Sequence, residues 1–164
     1  MKKFFFLFII TLGLSKYASA QWTQQVSGTT HTLEEIFFPA VDTGFVVGDS
    51  GTVLHTINGG NLWSAQNPDT TKHLTDVFFL NTQKGFVVGD SGYFASTTNG
   101  GASWSGQYIT QNNVLELNSV FFTTPLIGYV GGLDDLSNGI ILKTGAPGCL
   151  LLRILQHVEL ILMN

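Results

Sequence analysis

Three six-residue runs share one arrangement of apolar and polar positions: Leu33-Glu34-Glu35-Ile36-Phe37-Phe38, Leu74-Thr75-Asp76-Val77-Phe78-Phe79 and Leu117-Asn118-Ser119-Val120-Phe121-Phe122. Positions one, four and six are apolar in each run, which predicts a mostly buried strand rather than strict two-sided alternation. Eleven residues after each leading Leu stands Gly44, Gly85 or Gly128, opening a second strand, Phe45-Val46-Val47, Phe86-Val87-Val88 or Tyr129-Val130. β-Branched and aromatic residues bounded by Gly and Asp predict strands with a turn at each end. A third strand is expected over 52–56 and 93–97. The fourth carries tryptophan, as Trp63-Ser64-Ala65-Gln66 and Trp104-Ser105-Gly106-Gln107.

Trp22, Trp63 and Trp104 stand 41 residues apart, and Gly-Phe-Val-Val-Gly-Asp-Ser-Gly occurs twice, at 44–51 and 85–92. Self-similarity at this period, built from four short strands, predicts an all-β fold of β-propeller blades, each a four-stranded antiparallel sheet stacked on the next around an axis. The expected divisions are an outer closing strand at 22–27, blades at 33–67 and 74–108, and a partial blade at 117–144. About three blades make an incomplete ring, because rings typically take at least about four. The third repeat breaks after Thr144, where Gly145-Ala146-Pro147-Gly148-Cys149 replaces the expected turn. The aberrant tail over 145–164 lacks the Trp, Thr and Ser that dominate upstream. It reads either as frameshifted sequence in place of further blades or as an amphipathic helix capping the open edge.

Ahead of the repeats, Met1-Lys2-Lys3, an apolar run from Phe4 to Leu14 and Ala18-Ser19-Ala20 follow the order of a secretory signal peptide. The run is well short of the roughly 20 residues that span a bilayer. Cleavage after Ala20 implies a secreted, periplasmic or cell-surface protein with no remaining membrane span. The mature chain keeps Lys72, Lys84, Lys143 and Arg153 against eleven carboxylates, a net charge of −7. Such a surface repels phosphate backbones and has no basic stripe, so nucleic acid is excluded as a partner. The lone Cys149 has no disulfide partner within the chain.

Gly48-Asp49-Ser50-Gly51 and Gly89-Asp90-Ser91-Gly92 copy the tetrapeptide around a serine-protease nucleophile. Two copies in register with a blade repeat read instead as hairpin turns, with Asp bonding its own backbone and Gly at positive φ. His31, His55, His73 and His157 lack metal-ligand spacing, and His55 reads as a strand-surface residue. Asp134-Asp135 reads as a solvated loop rather than a calcium loop. Glu34, Glu35, Asp76 and Glu116 are the candidate acids for a glycosidase pair, but repeat-aligned polar residues more often solvate one face of successive blades. No cofactor or metal is expected.

The segments Thr56-Ile57-Asn58-Gly59-Gly60-Asn61-Leu62-Trp63 and Thr97-Thr98-Asn99-Gly100-Gly101-Ala102-Ser103-Trp104 resemble the Asp-box, or bacterial neuraminidase repeat. With the Phe-Phe and Gly-Phe-Val-Val-Gly text before them, they resemble blades of the photosystem II stability and assembly factor-like β-propellers, over about 22–144. The resemblance implies that Thr56, Asn58, Gly60 and Trp63, then Thr97, Asn99, Gly101 and Trp104, form an architectural hairpin between the third and fourth strands. Asn in place of the usual Asp keeps the acceptor and drops the charge. Sialidases share the box but hold their substrate with several arginines, and Arg153 is the single arginine of this chain. The implied role is a secreted, non-catalytic scaffold or recognition module for a protein or glycan ligand, with a fragment of an extracellular glycoside hydrolase as the alternative. The photosystem role does not carry over, since nothing in the sequence indicates a photosynthetic membrane.

Exported protein is expected to begin at Gln21. N-terminal mass spectrometry of the secreted fraction checks this, and an intact Met1–Leu14 segment would overturn it.

Overall fold

The computed structural model describes residues 21–110 and 113–144; the expected leader and the tail from Gly145 lie outside the described residues. Strands β1 (Leu33–Phe37), β2 (Gly44–Gly48), β3 (Thr52–Thr56) and β4 (Ser64–Gln66) pair antiparallel in the order β1-β2-β3-β4. Strands β5 (Leu74–Phe79), β6 (Gly85–Gly89), β7 (Tyr93–Thr97) and β8 (Ser105–Tyr108) repeat that sheet. Strands β9 (Val114–Phe122), β10 (Gly128–Asp134) and β11 (Gly139–Lys143) form a third sheet of three strands, with β11 at its edge. These are propeller blades, the third without its fourth strand among the described residues. Residues 22–27, the expected outer strand, carry no strand pairing there, and Trp22 is 99% exposed.

The six-residue runs are alternating strands after all, interrupted by one extra residue. Leu74 pairs with Gly89 and Asp76 with Val88, so Thr75 is left unpaired, and Glu34 and Asn118 are skipped in the same way in the other sheets. A bulge shifts the alternation by one, which places positions one, four and six on a single face. In β5 that face is Leu74, Val77 and Phe79, all buried. The bulge also brings two backbones together. A Cβ on Gly48, Gly89 or Gly132 would stand 2.0, 2.1 and 2.0 Å from the carbonyl oxygens of Thr32, His73 and Glu116, so the last Gly of each second strand is required by close approach.

The first Gly of each second strand has a different reason. A Cβ on Gly85 would lie 2.3 Å from the Phe79 ring, and one on Gly128 would lie 2.5 Å from Phe122. The ring occupies the space the missing side chain leaves. From there Phe79 stacks on Phe45 of the preceding blade, centroids 3.7 Å apart, and Phe122 stacks on Phe86 at 3.6 Å. Two apolar cores follow, one in each gap between blades. The first joins Phe45, Val47 and Val53 to Leu74, Val77 and Phe79; the second joins Phe86, Val88 and Phe94 to Leu117, Val120, Phe122 and Leu142.

Inner strands are also stitched by side chains at the bulge. Thr75 Oγ1 donates to Leu117 O, and the Asp76 carboxylate accepts Val120 N–H and Val77 N–H, both at 2.7 Å. Burial raises the Asp76 pKa above the usual carboxylate range, opposed by these two N–H groups. The hairpin tips of the first two blades each add a backbone link to the chain entering the next: Gly51 N–H to Lys72 O at 2.8 Å, and Ser91 N–H to Leu115 O at 2.8 Å.

Phe79→Ala is expected to cost about 3–5 kcal/mol, the loss usual for a fully buried ring, whereas Phe38→Ala at the exposed equivalent should cost about 1 kcal/mol or less. Urea unfolding of the two variants checks the difference, and equal losses would contradict the inter-blade role of Phe79.

Candidate functional site

Antiparallel topology sorts the loops to two ends. The β1–β2 and β3–β4 connections share one end, where Gly59 N–H donates to Asp42 O and Gly100 N–H to Gln83 O, each at 2.9 Å. Thr56 and Thr97 end β3 and β7, the other six Asp-box positions lie in the β3–β4 and β7–β8 connections, and their bonding is the same twice. Thr56 Oγ1 donates to Asn58 Oδ1 at 2.9 Å and accepts Gly60 N–H at 3.0 Å; Thr97 does the same with Asn99 and Gly101 at the same distances. Asn58 Oδ1 accepts Leu62 N–H and Asn99 Oδ1 accepts Ser103 N–H, both at 2.9 Å. Gly60 and Gly101 take φ +88 and +82 beneath the Trp63 and Trp104 rings, which meet Phe38 and Phe79 edge-on at 6.1 Å. The Thr hydroxyls and Asn carbonyl oxygens of the box all serve the turn, so they hold the sheet together.

Thr144, at the matching place of the third blade, bonds differently. Its hydroxyl donates to Leu126 O at 2.7 Å and accepts Gly128 N–H at 2.8 Å.

The opposite end is formed by the β2–β3 and β6–β7 tips and by the connections between blades. Ser50 and Gly51 both take positive φ, 57 and 70, as do Ser91 and Gly92, at 60 and 71. Positive φ at two successive central residues is primed-turn geometry, which follows the twist of the flanking strands. The Asp49 carboxylate, expected to bond its own backbone, reaches across instead: His73 Nδ1 stands 2.5 Å from Asp49 Oδ1, and Thr32 also bonds it. A hydrogen bond from Thr32, then His73, holds the Asp49 pKa below the usual range. His31 Nδ1 bonds Thr52 Oγ1 at 2.8 Å nearby. No hydrogen bond joins Ser50 or Ser91 to a histidine among the described residues, so neither serine has the partner a nucleophile needs.

Glu34, Asp49 and His73 bring their ligand atoms within 4.8 Å of one another. The Asp49–His73 spacing of 2.5 Å is that of a short hydrogen bond; two donors on one tetrahedral zinc, each about 2.0 Å from it, would stand roughly 3.3 Å apart. Sequence reading missed this cluster because the pair crosses a blade boundary and is not repeated: Glu116, not His, occupies the place of His73 and faces Asp90 at the next junction. Beside the cluster, an open depression of about 390 Å³ is lined by Asn67, Asp69, Thr70, Thr71, Lys72 and Tyr108.

The remaining candidate residues are dispersed. His55 is half-buried rather than on an open strand surface: it stacks on Phe45 at 4.4 Å because it pairs with that residue on the face the next blade covers, and burial lowers its pKa. Asp134 spends its carboxylate on the turn, accepting Asn138 N–H at 2.7 Å and Leu136 N–H at 3.0 Å. Glu116 accepts from Asn118 Nδ2 at 3.1 Å. Among the described residues no helix is long and apolar enough to cross a membrane.

The family model described as Photosynthesis system II assembly factor YCF48 matches residues 61–148, more than half of the chain. No curated protein matches it. Among solved structures, YCF48 from Cyanidioschyzon merolae superposes with a TM-score of 0.65 at 25% identity, covering 76% of this chain and 40% of that one. YCF48 bound to D1 peptide superposes with a TM-score of 0.61 at 24% identity, covering 71% and 37%. The chain thus spans about two fifths of the length of these relatives.

Thr97→Val keeps the shape of the side chain and removes the acceptor of Gly101 N–H, so a loss of about 2 kcal/mol is expected from an orphaned buried donor. Denaturant unfolding with a Thr98→Val control checks it; equal effects would deny the box this role.

Proposed function

The chain belongs to the Photosynthesis system II assembly factor YCF48 family, and from that membership we propose that it is a secreted, non-catalytic recognition module whose ligand is a protein segment. The relative solved with a D1 peptide supports a peptide ligand for this propeller type. In this chain the reading rests chiefly on charge at the tip end, where Glu34, Asp49, Asp69, Asp90 and Glu116 outnumber Lys72 among the described residues. Carboxylates on a rim favour basic partners and act through encounter and orientation. An extended segment carrying Lys or Arg would run between the open depression and the Glu34–Asp49–His73 cluster.

A glycosidase would need two free carboxylates facing each other across a groove. Asp76, the most buried candidate, has both oxygens committed to backbone N–H groups, and Glu116 is paired with Asn118. That engagement supports a non-catalytic role. The leader sequence supports export.

Titration of the exported chain with extended peptides matched except for Lys/Arg or Glu content tests the proposal. Basic peptides are expected to bind, less tightly as salt rises, and Glu34→Gln with Asp49→Asn should weaken binding by about 3- to 10-fold, the scale of two rim charges. Binding to glycans alone, with hydrolysis, would favour the glycosidase alternative.

A further inference from the structure

We propose that Asn58 is a site of spontaneous deamidation, with the backbone nitrogen of Gly59 as the nucleophile, and that the matching Asn99 of the second blade is protected from it.

Asn-Gly-Gly occurs twice, at 58–60 and 99–101, so the two box turns start from the same intrinsic chemistry. Glycine after asparagine puts no Cβ in the way of ring closure. In the step, Gly59 N gives its proton to hydroxide and bonds to Asn58 Cγ, the Cγ–Nδ2 bond breaks, and Nδ2 takes a proton from water to leave as ammonia. Water then opens the five-membered imide at either carbonyl, giving aspartate or isoaspartate, with no change of oxidation state. Negative charge gathers on Oδ1 as the nitrogen adds. That oxygen already accepts the Thr56 hydroxyl and Leu62 N–H, both at 2.9 Å, two donors aimed where the charge develops. Asn99 Oδ1 has the same pair from Thr97 and Ser103. Each glycine N–H also bonds the facing connection at 2.9 Å, a restraint that must open first at either site and does not distinguish them.

Two features separate the turns. Gly59 is exposed, whereas Gly100 is buried. A Cβ on Gly100 would lie 3.0 Å from Thr82 O and 3.6 Å from Gln83 Nε2, while one on Gly59 would meet only Val41 O, at 3.8 Å. Asp42 holds the place of Gln83 in the first blade, and its shorter side chain leaves the glycine uncovered. Hydroxide therefore reaches one nitrogen and is kept from the other. The second feature is the leaving group. Asn99 Nδ2 donates to Ser103 Oγ at 2.8 Å, but residue 62 is Leu, and Asn58 Nδ2 has no such partner among the described residues. A tethered carboxamide cannot swing toward the backbone nitrogen. The third Asn-Gly pair, Asn138-Gly139, has its carboxamide nitrogen held by Asp134 at 2.9 Å and no donor on its oxygen among the described residues.

The first turn also accommodates the product. Aspartate at position 58 keeps both acceptor bonds and makes them charge-assisted, and the oxygen that replaces Nδ2 gives up no contact. Isoaspartate adds a carbon to the main chain between Thr56 and Gly60, whose hydroxyl-to-N–H contact of 3.0 Å closes the turn. The box of the first blade thus gains a charge as the protein ages, and that of the second does not.

The test is to hold the purified chain in mildly alkaline buffer, folded or unfolded in guanidinium chloride, and to follow both asparagines by protease digestion and mass spectrometry. In the folded chain Asn58 is expected to convert at least about 10-fold faster than Asn99, and in denaturant within about 2-fold of it, because local opening no longer differs. Leu62→Ser, at an exposed position, supplies the partner that Asn99 has and should slow Asn58. Asn58→Asp should keep or raise the unfolding midpoint. Equal rates in the folded chain, a rate ratio that survives unfolding, no slowing by Leu62→Ser, or a lower midpoint for Asn58→Asp would each overturn the proposal.

Discussion

Phe79 lies over Gly85 of its own sheet, stacks on Phe45 of the sheet before it and takes the edge of Trp104, and Phe122 repeats the first two contacts with Gly128 and Phe86. The separation of the blades depends on this ring. A thicker residue than Gly beneath it would push it into the neighbouring sheet, and a smaller residue in its own place would open a void in a core close-packed like a crystal. Once the ring fixes the gap, Val47, Val53, Leu74 and Val77 fall within contact around it. The box hairpin then acts as its backstop, since Thr97, Asn99 and Gly101 hold Trp104 against the ring's edge.

The second constraint is the bulge at Glu34, Thr75 and Asn118. By adding one residue it re-aims the side chains that follow, and in the second blade this directs Thr75 and Asp76 onto the backbone of β9. The same positions hold Glu34 and Glu35 in the first blade, where the carboxylates stay exposed. One backbone device thus serves as a fastener at one junction and presents charge at another. Side-chain length and burial decide which.

Much of this was legible in the sequence, because a repeat states its own periodicity. The strands, their order and the turn at each box follow from text that occurs two or three times. The bulge was present in that text as an apolar spacing of three followed by two, but it was read as general burial, since alternation alone has no place for an unpaired residue. His55 was read as surface because its aligned neighbour is Ser96; a ring and a hydroxyl at one register position give no common pattern, and burial came from the next blade. The Asp49–His73 pair was hidden for the opposite reason. It depends on a difference between repeats, His73 against Glu116, and on contact between residues of separate blades.

The backbone links from Gly51 and Ser91 to the chain that enters the next blade bear on how the protein is made. In the first two blades the tip donor finds its partner 21 or 24 positions later and the aromatic platform 34 or 36 positions later, so consolidation travels along the chain in the direction of translation, one nearest neighbour at a time. A chain that emerges N-terminus first presents Phe45 uncovered and gains its cover only when Phe79 follows. Until then that platform is open to chaperones.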